Sequence, residues 1–234
     1  MPELPDVTVY VERLRALTVG RPLEGIRIAS PFVLRTVSPS PGELRGARIA
    51  SVERLGKRII FGVPGDAGER FIVIHLMIAG RLRWKPRGER LPAKVGLAAF
   101  DFPDGTLVFT EASPKKRASL HIVAGRAALT EFDRGGLDVF TAALPAFAER
   151  LRSERHTIKR AMTDPTLFDG IGNAYSDEIL HRARLSPVRM TRQLSEEESA
   201  RLFEAAKATL TDWIERLRRD AAGAFPEGVT AFRP

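Results

Sequence analysis

Thirty-seven lysines and arginines stand against 29 aspartates and glutamates, a formal charge of +8 over 234 residues of which 44% are hydrophobic. That length suits one large domain or two small ones, and 28% charged with 7% aromatic residues excludes wholesale disorder. The chain has no cysteine, which excludes disulfides, thiol nucleophiles, iron–sulfur clusters and Cys-ligated zinc within these residues.

No apolar run approaches the roughly 18 residues that span a bilayer. Glu3, Asp6, Glu12 and Arg13 break any signal-peptide core at the start. A soluble, cytoplasmic protein with no membrane partner is expected. The pI near 10.4 points to a polyanion, nucleic acid first. Arginine outnumbers lysine about four to one, which GC-rich coding also produces, so charge alone leaves the partner open.

In chain order, Val7, Val11, Leu14 and Leu17 recur at helical spacing after Pro5, and Gly20 stops the pattern, which predicts a helix over 5–18. Seven β-rich runs follow, at 23–29, 47–55, 58–63, 70–77, 95–102, 106–110 and 119–123. Turns such as Pro64-Gly65-Asp66 and Pro103-Asp104-Gly105 separate them, as in an antiparallel sandwich. Beyond about residue 130 the pattern is helical, over 144–153, 156–163, 173–184 and 195–220, with Ser195 and Glu198 spaced as a capping box. The fold class expected is α+β: an N-terminal β-sandwich with a leading helix over 1–132, then an all-helical domain over 133–234.

Two segments carry chemistry. In Met1-Pro2-Glu3-Leu4-Pro5-Asp6, loss of the initiator methionine leaves Pro2 as a secondary amine, a nucleophile able to form an iminium ion. Glu3 and Asp6 could then move protons. The plainer reading is that the prolines open a helix and Asp6 stabilises its positive end. In Asp169-Gly170-Ile171-Gly172-Asn173-Ala174-Tyr175, the glycines allow a close backbone turn, and a helix starts near Asn173. Free N–H groups there, with Lys159 and Arg182 nearby, form a phosphate site; a helical hairpin would also use such glycines. His75, in a strand with apolar neighbours, reads as a satisfied core or strand-end histidine sooner than a catalytic one. His121, His156 and His181 show no metal-ligand spacing, and Trp84 and Trp213 read as packing residues.

Pro2-Glu3-Leu4-Pro5, Leu55-Gly56-Lys57-Arg58, Ile74-His75-Leu76-Met77-Ile78-Ala79-Gly80 and Gly170–Leu180 together resemble, in order and spacing, the Fpg/Nei family of bifunctional DNA glycosylases. The resemblance covers residues 2 to about 233, and the Gly170–Leu180 stretch looks like that family's helix–two-turn–helix. It implies a monomer acting on damaged double-stranded DNA, associated with the bacterial nucleoid. A damaged nucleotide would be flipped from the stack. Pro2 would attack its C1′, Glu3 would protonate the sugar ring oxygen, and β,δ-elimination would nick the strand without a metal. Lys57 and Asn173 would hold phosphates, assisted by Lys159, Tyr175 and the amides of the helix start.

Three departures bear on this reading. The family's sixth residue is usually glutamate, and Asp6 is one methylene shorter. The expected arginine-phenylalanine wedge is replaced by Ser113-Pro114-Lys115-Lys116-Arg117, leaving Lys115, Lys116 and Arg117 to contact DNA without stacking and Met77 or Ile78 to fill the gap. Most members end in a four-cysteine zinc hairpin. Val229–Pro234 resembles the lead into it, so the hairpin is expected to be deleted or to lie beyond residue 234, and no cofactor is expected within this chain. Two rival readings are a DNA-structure-binding protein of the same fold without base excision, and a proline-based tautomerase of small molecules.

Overall fold

The computed structural model describes residues 1–65 and 68–226, so the last eight residues, including the expected hairpin lead, lie outside it. The N-terminal half is a sandwich of two four-stranded antiparallel sheets, ordered β1-β6-β7-β5 and β2-β3-β4-β8. The first sheet combines β1 (Gly25–Ile28), β5 (Gly80–Lys85), β6 (Gly96–Phe102) and β7 (Gly105–Glu111). The second combines β2 (Ser51–Leu55), β3 (Arg58–Val63), β4 (Arg70–His75) and β8 (Ser119–Ala124). Phe61 of β3 stacks on Phe100 of β6 across the interior, ring centroids 6.4 Å apart. β3 and β4 are apolar on both faces because the outer side of their sheet is covered too: Ile60, Phe71 and Val73 pack beneath Phe132.

Seven strands were expected and the described residues hold eight. The missed strand, β5, reads Gly-Arg-Leu-Arg-Trp-Lys, with charges at alternate positions. It lies at the edge of its sheet, paired only with β7. Charge on an exposed edge blocks pairing with a further chain, and the same charge hides the strand from an apolar-pattern search.

Helix α1 (Leu4–Thr18) serves both halves. Val7, Tyr10, Val11 and Leu14, one helical stripe, join the sandwich core. Leu4 and Val9 join the helical core. That second core gathers α2 (Leu144–Arg152), α3 (Ile158–Thr163), α4 (Asn173–Ala183) and the long α5 (Glu196–Ala221). The capping box of α5 is present: the Glu198 N–H donates to the Ser195 hydroxyl at 3.1 Å, and the Ser195 N–H donates to the Glu198 carboxylate at 2.9 Å.

Polar ties close the junction. Arg54 of β2 spans Asp138 and Asp169, at 2.8 and 2.5 Å, with a side chain only 17% exposed. The Leu4 N–H donates to the Gly170 carbonyl at 2.9 Å. Arg218 of α5 pairs with Glu12 of α1. No described helix is long and apolar enough to cross a membrane.

Candidate active site

Pro2 and Glu3 are buried where the leading helix enters the junction of the two halves. Glu3 is only 2% exposed, and its carboxylate reaches past its own helix to the start of α4. There it accepts N–H groups from Gly172 at 2.7 Å, Ala174 at 2.9 Å and Tyr175 at 3.2 Å. These are orphan donors at the positive end of a helix, the natural seat of an anion. This corrects the expectation that the helix-start amides hold DNA phosphates, because the protein's own carboxylate occupies them.

Asp6 lies one turn into α1, 4% exposed, and its Oδ2 accepts the Glu3 N–H at 2.8 Å. Burial raises its carboxyl to about 6, with the nearby Glu3 charge pushing the same way. Lys57 follows Gly56 in the turn between β2 and β3, where Gly56 has φ +60°. Burial lowers its ammonium below the usual lysine range, while Glu3 and Asp169 act to keep it charged. Gly172 is the meeting point: a Cβ built on it would lie 2.5 Å from the Glu3 carboxylate and 2.7 Å from Lys57 Nζ. Only a residue without a side chain lets these groups meet over the backbone.

A cavity of about 340 Å³ opens beside this centre, between the sandwich and the helical domain, walled by Met1, Lys57, Arg58, His75, Met77 and Arg134. Lys57, Arg58 and Arg134 bring positive charge to its wall, and Asp133 and Asp169 bring carboxylates to the same wall. Burial, then Arg58 and Lys57, lowers the His75 imidazole to about 4, which keeps it neutral near pH 7. The sequence reading missed His75, Arg58 and Arg134 as cavity residues. Hairpin pairing held a signal, since Arg58 and His75 are directly opposed across β3 and β4, next to Lys57.

The remaining sites fall outside this cluster. Asn173 is the exposed first residue of α4. Lys159 reaches the same helix but is paired with Asp177 at 2.7 Å. Tyr175 is corrected: its ring is fully buried, edge-on against Trp213, so its side chain cannot lie on DNA. In the loop between β7 and β8, Lys115 and Arg117 are exposed, whereas Lys116 turns back and donates to the Glu111 carbonyl at 2.7 Å. The buried Glu111 carboxylate ties the loop by accepting the Arg117 and Ala118 N–H groups. Met77 lines the cavity with φ +53°, and Ile78 stands 59% exposed beside it. With no cysteine in the chain, the thiolate set of a zinc hairpin does not fit these residues. Among the described residues no group of three or more His, Asp or Glu could hold a metal.

A β-sandwich joined by its first helix to a helix–two-turn–helix unit, with an N-terminal proline and glutamate at the seam, defines a class of DNA repair proteins, and the comparisons agree. Residues 1–118 match the model of the formamidopyrimidine-DNA glycosylase N-terminal domain, and residues 138–221 match that of the formamidopyrimidine-DNA glycosylase H2TH domain. The chain belongs to the Fpg/Nei family of DNA glycosylases. It is 32% identical over 221 residues to the formamidopyrimidine-DNA glycosylase of Thermus thermophilus, covering 92% of this chain and 76% of that protein. It resembles the Lactococcus lactis Fpg in complex with DNA containing an abasic site, with a TM-score of 0.82 at 26% identity over 91% of this chain and 78% of that one. A complex of the same Lactococcus lactis protein with DNA containing an oxidised pyrimidine gives a TM-score of 0.83 at 26% identity, over 92% of this chain and 80% of that one.

Proposed function

We propose that this protein removes damaged bases from duplex DNA and then cleaves the strand at the resulting abasic site. The observation that carries the reading is the Glu3 carboxylate, held on three α4 amides beside Lys57, one residue from Pro2. Family membership and relatives solved with damaged DNA support it.

The initiator methionine precedes a small residue, and its removal would open the Pro2 nitrogen towards the cavity that Met1 now lines. The target nucleotide leaves the base stack, because C1′ is out of reach inside it. The Pro2 amine adds to C1′ as the bond to the base breaks, and the base departs with a proton. The Glu3 carboxylate takes the proton that the Pro2 nitrogen gives up and passes it to the ring oxygen, the sugar opens, and C1′ becomes an iminium carbon bonded to Pro2. Loss of a C2′ proton then expels the 3′ phosphate, and a second elimination expels the 5′ phosphate. Water releases the sugar fragment and restores the amine. Lys57, with His75 and Arg58 beside it, holds a phosphate next to the lesion, and Asn173 holds a neighbouring one.

Duplexes carrying single defined lesions, incubated with the protein and borohydride, test this directly. A covalent adduct is expected with an abasic duplex and with at least one damaged base, and one extra residue before Pro2 should abolish it. Binding without any adduct would instead establish a protein that recognises DNA structure and does no excision.

A further inference from the structure

Arg54 does more than join the two halves, because its bonds converge beside the turn that carries Lys57. Its Nη1 donates to the Gly56 carbonyl at 3.0 Å and to Asp169 Oδ2 at 2.5 Å, and its Nη2 donates to Asp138 Oδ2 at 2.8 Å. The rigid fork of a guanidinium serves three acceptors in this way, which the point charge of a lysine does not. Asp138 alone would tie β2 to the helical half. Asp169 stands elsewhere, on the cavity wall with Lys57. Its other oxygen, Oδ1, lies 3.2 Å from a Cβ built on Gly56, and its charge acts on the Lys57 ammonium. Lys57 nevertheless holds no salt bridge among the described residues: Glu3 is committed to the α4 amides, and Asp169 to Arg54.

We propose that Arg54 is a positioning residue for Lys57, engaging Asp169 so that this carboxylate leaves the Lys57 ammonium to a DNA phosphate. The inference rests on the reading of Lys57 as a phosphate contact. Without the guanidinium, Asp169 is a half-buried anion that has lost its cation, and Lys57 is drawn onto it. Arg58, the other cation that Asp169 acts on, is already held by the Phe132 carbonyl at 3.1 Å and lies over the Phe132 ring. A lysine paired inside the protein releases no counterion when DNA binds, so its share of the salt dependence disappears. The bond to the Gly56 carbonyl works in the same direction, fixing the turn from which Lys57 projects.

The test is the salt dependence of binding to an abasic and an intact duplex, using the full chain. Arg54→Met keeps an unbranched side chain and removes the charge. It should reduce the slope of log K against log salt by about one unit, as Lys57→Ala does, and weaken binding about five- to tenfold at about 0.1 M salt. Adding Asp169→Asn to it should restore the slope, whereas adding Lys57→Ala should reduce it no further. Asp138→Asn loosens the same junction but leaves Arg54 on Asp169, so it should cost stability and keep the wild-type slope. An unchanged slope in Arg54→Met, a slope that Asp169→Asn does not restore, or an equal loss in Asp138→Asn would each overturn the proposal. Lys57→Ala separates the two levels. If it keeps the wild-type slope, the reading of Lys57 fails; if its slope falls while that of Arg54→Met does not, only the role of Arg54 fails. Should Arg54→Met not fold, the same outcomes are read from Arg54→Gln, which keeps an amide donor at the junction.

Discussion

Replacing Gly172 with alanine would drive one methyl group into the centre of the site. Gly172 has φ −135° and ψ −161°, extended backbone that alanine adopts without strain, so any effect is steric. The new Cβ would lie 2.5 Å from both Cδ and Oε1 of Glu3 and 2.7 Å from Lys57 Nζ. Non-bonded carbon contacts settle near 3.5–4.0 Å, so the carboxylate must retreat by roughly 1 Å. That movement breaks bonds now 2.7, 2.9 and 3.2 Å long, and the anion stays buried with poorer partners. Hydrogen bonds to charged groups contribute about 1.5–3 kcal/mol each, so losing one or two should destabilise the fold by about 2–5 kcal/mol. A displacement of this size at a reacting group can cost about 100-fold in rate. Urea unfolding and trapping on an abasic duplex measure the two effects. Wild-type stability with a wild-type trapping rate would refute the view that the Glu3 seat is tight and catalytic.

Three further outcomes are expected. The Asp6 carboxyl is raised from 3.8 to about 6, so its stabilising contribution is complete below about pH 4 and lost as pH rises through 6, roughly 3 kcal/mol in all. His75, lowered from 6.5 to about 4, acts oppositely, contributing fully above pH 6.5 and losing that contribution as pH falls through 4. Unfolding free energies measured from pH 4 to 7 should therefore vary little in the wild type. Asp6→Asn should uncover a fall towards acid, and His75→Gln a fall towards neutrality. Arg54→Ala leaves Asp138 and Asp169 facing each other without their cation, and should lower stability by about 2–4 kcal/mol in denaturant titrations; a loss below about 0.5 kcal/mol would mean the junction is held by packing alone. Lys57→Ala should weaken binding to damaged and intact duplexes about equally and reduce the slope of log K against log salt by about one unit; a changed lesion preference at constant slope would make Lys57 a reader of bases.

The sequence by itself determined what depends on neighbours along the chain. Pro5 and the stripe from Val7 to Leu14 specify the leading helix, Ser195 and Glu198 start α5, and turn residues separate the strands, because caps, turns and periodicity act within a few residues. The paired landmarks Pro2-Glu3 and Gly170–Asn173 were also legible, as was Lys57 after its glycine. The tertiary structure alone decided how these parts are used. Glu3 accepts from amides 169 to 172 positions away, and Arg54 pairs with Asp169 across 115 positions. No local pattern encodes such distances. The same packing buries Tyr175 instead of presenting it to DNA and folds Lys116 back onto Glu111. An orphan helix-end amide takes the first suitable anion within reach, and whether that is a DNA phosphate or the protein's own carboxylate depends on which surfaces the two cores bring together.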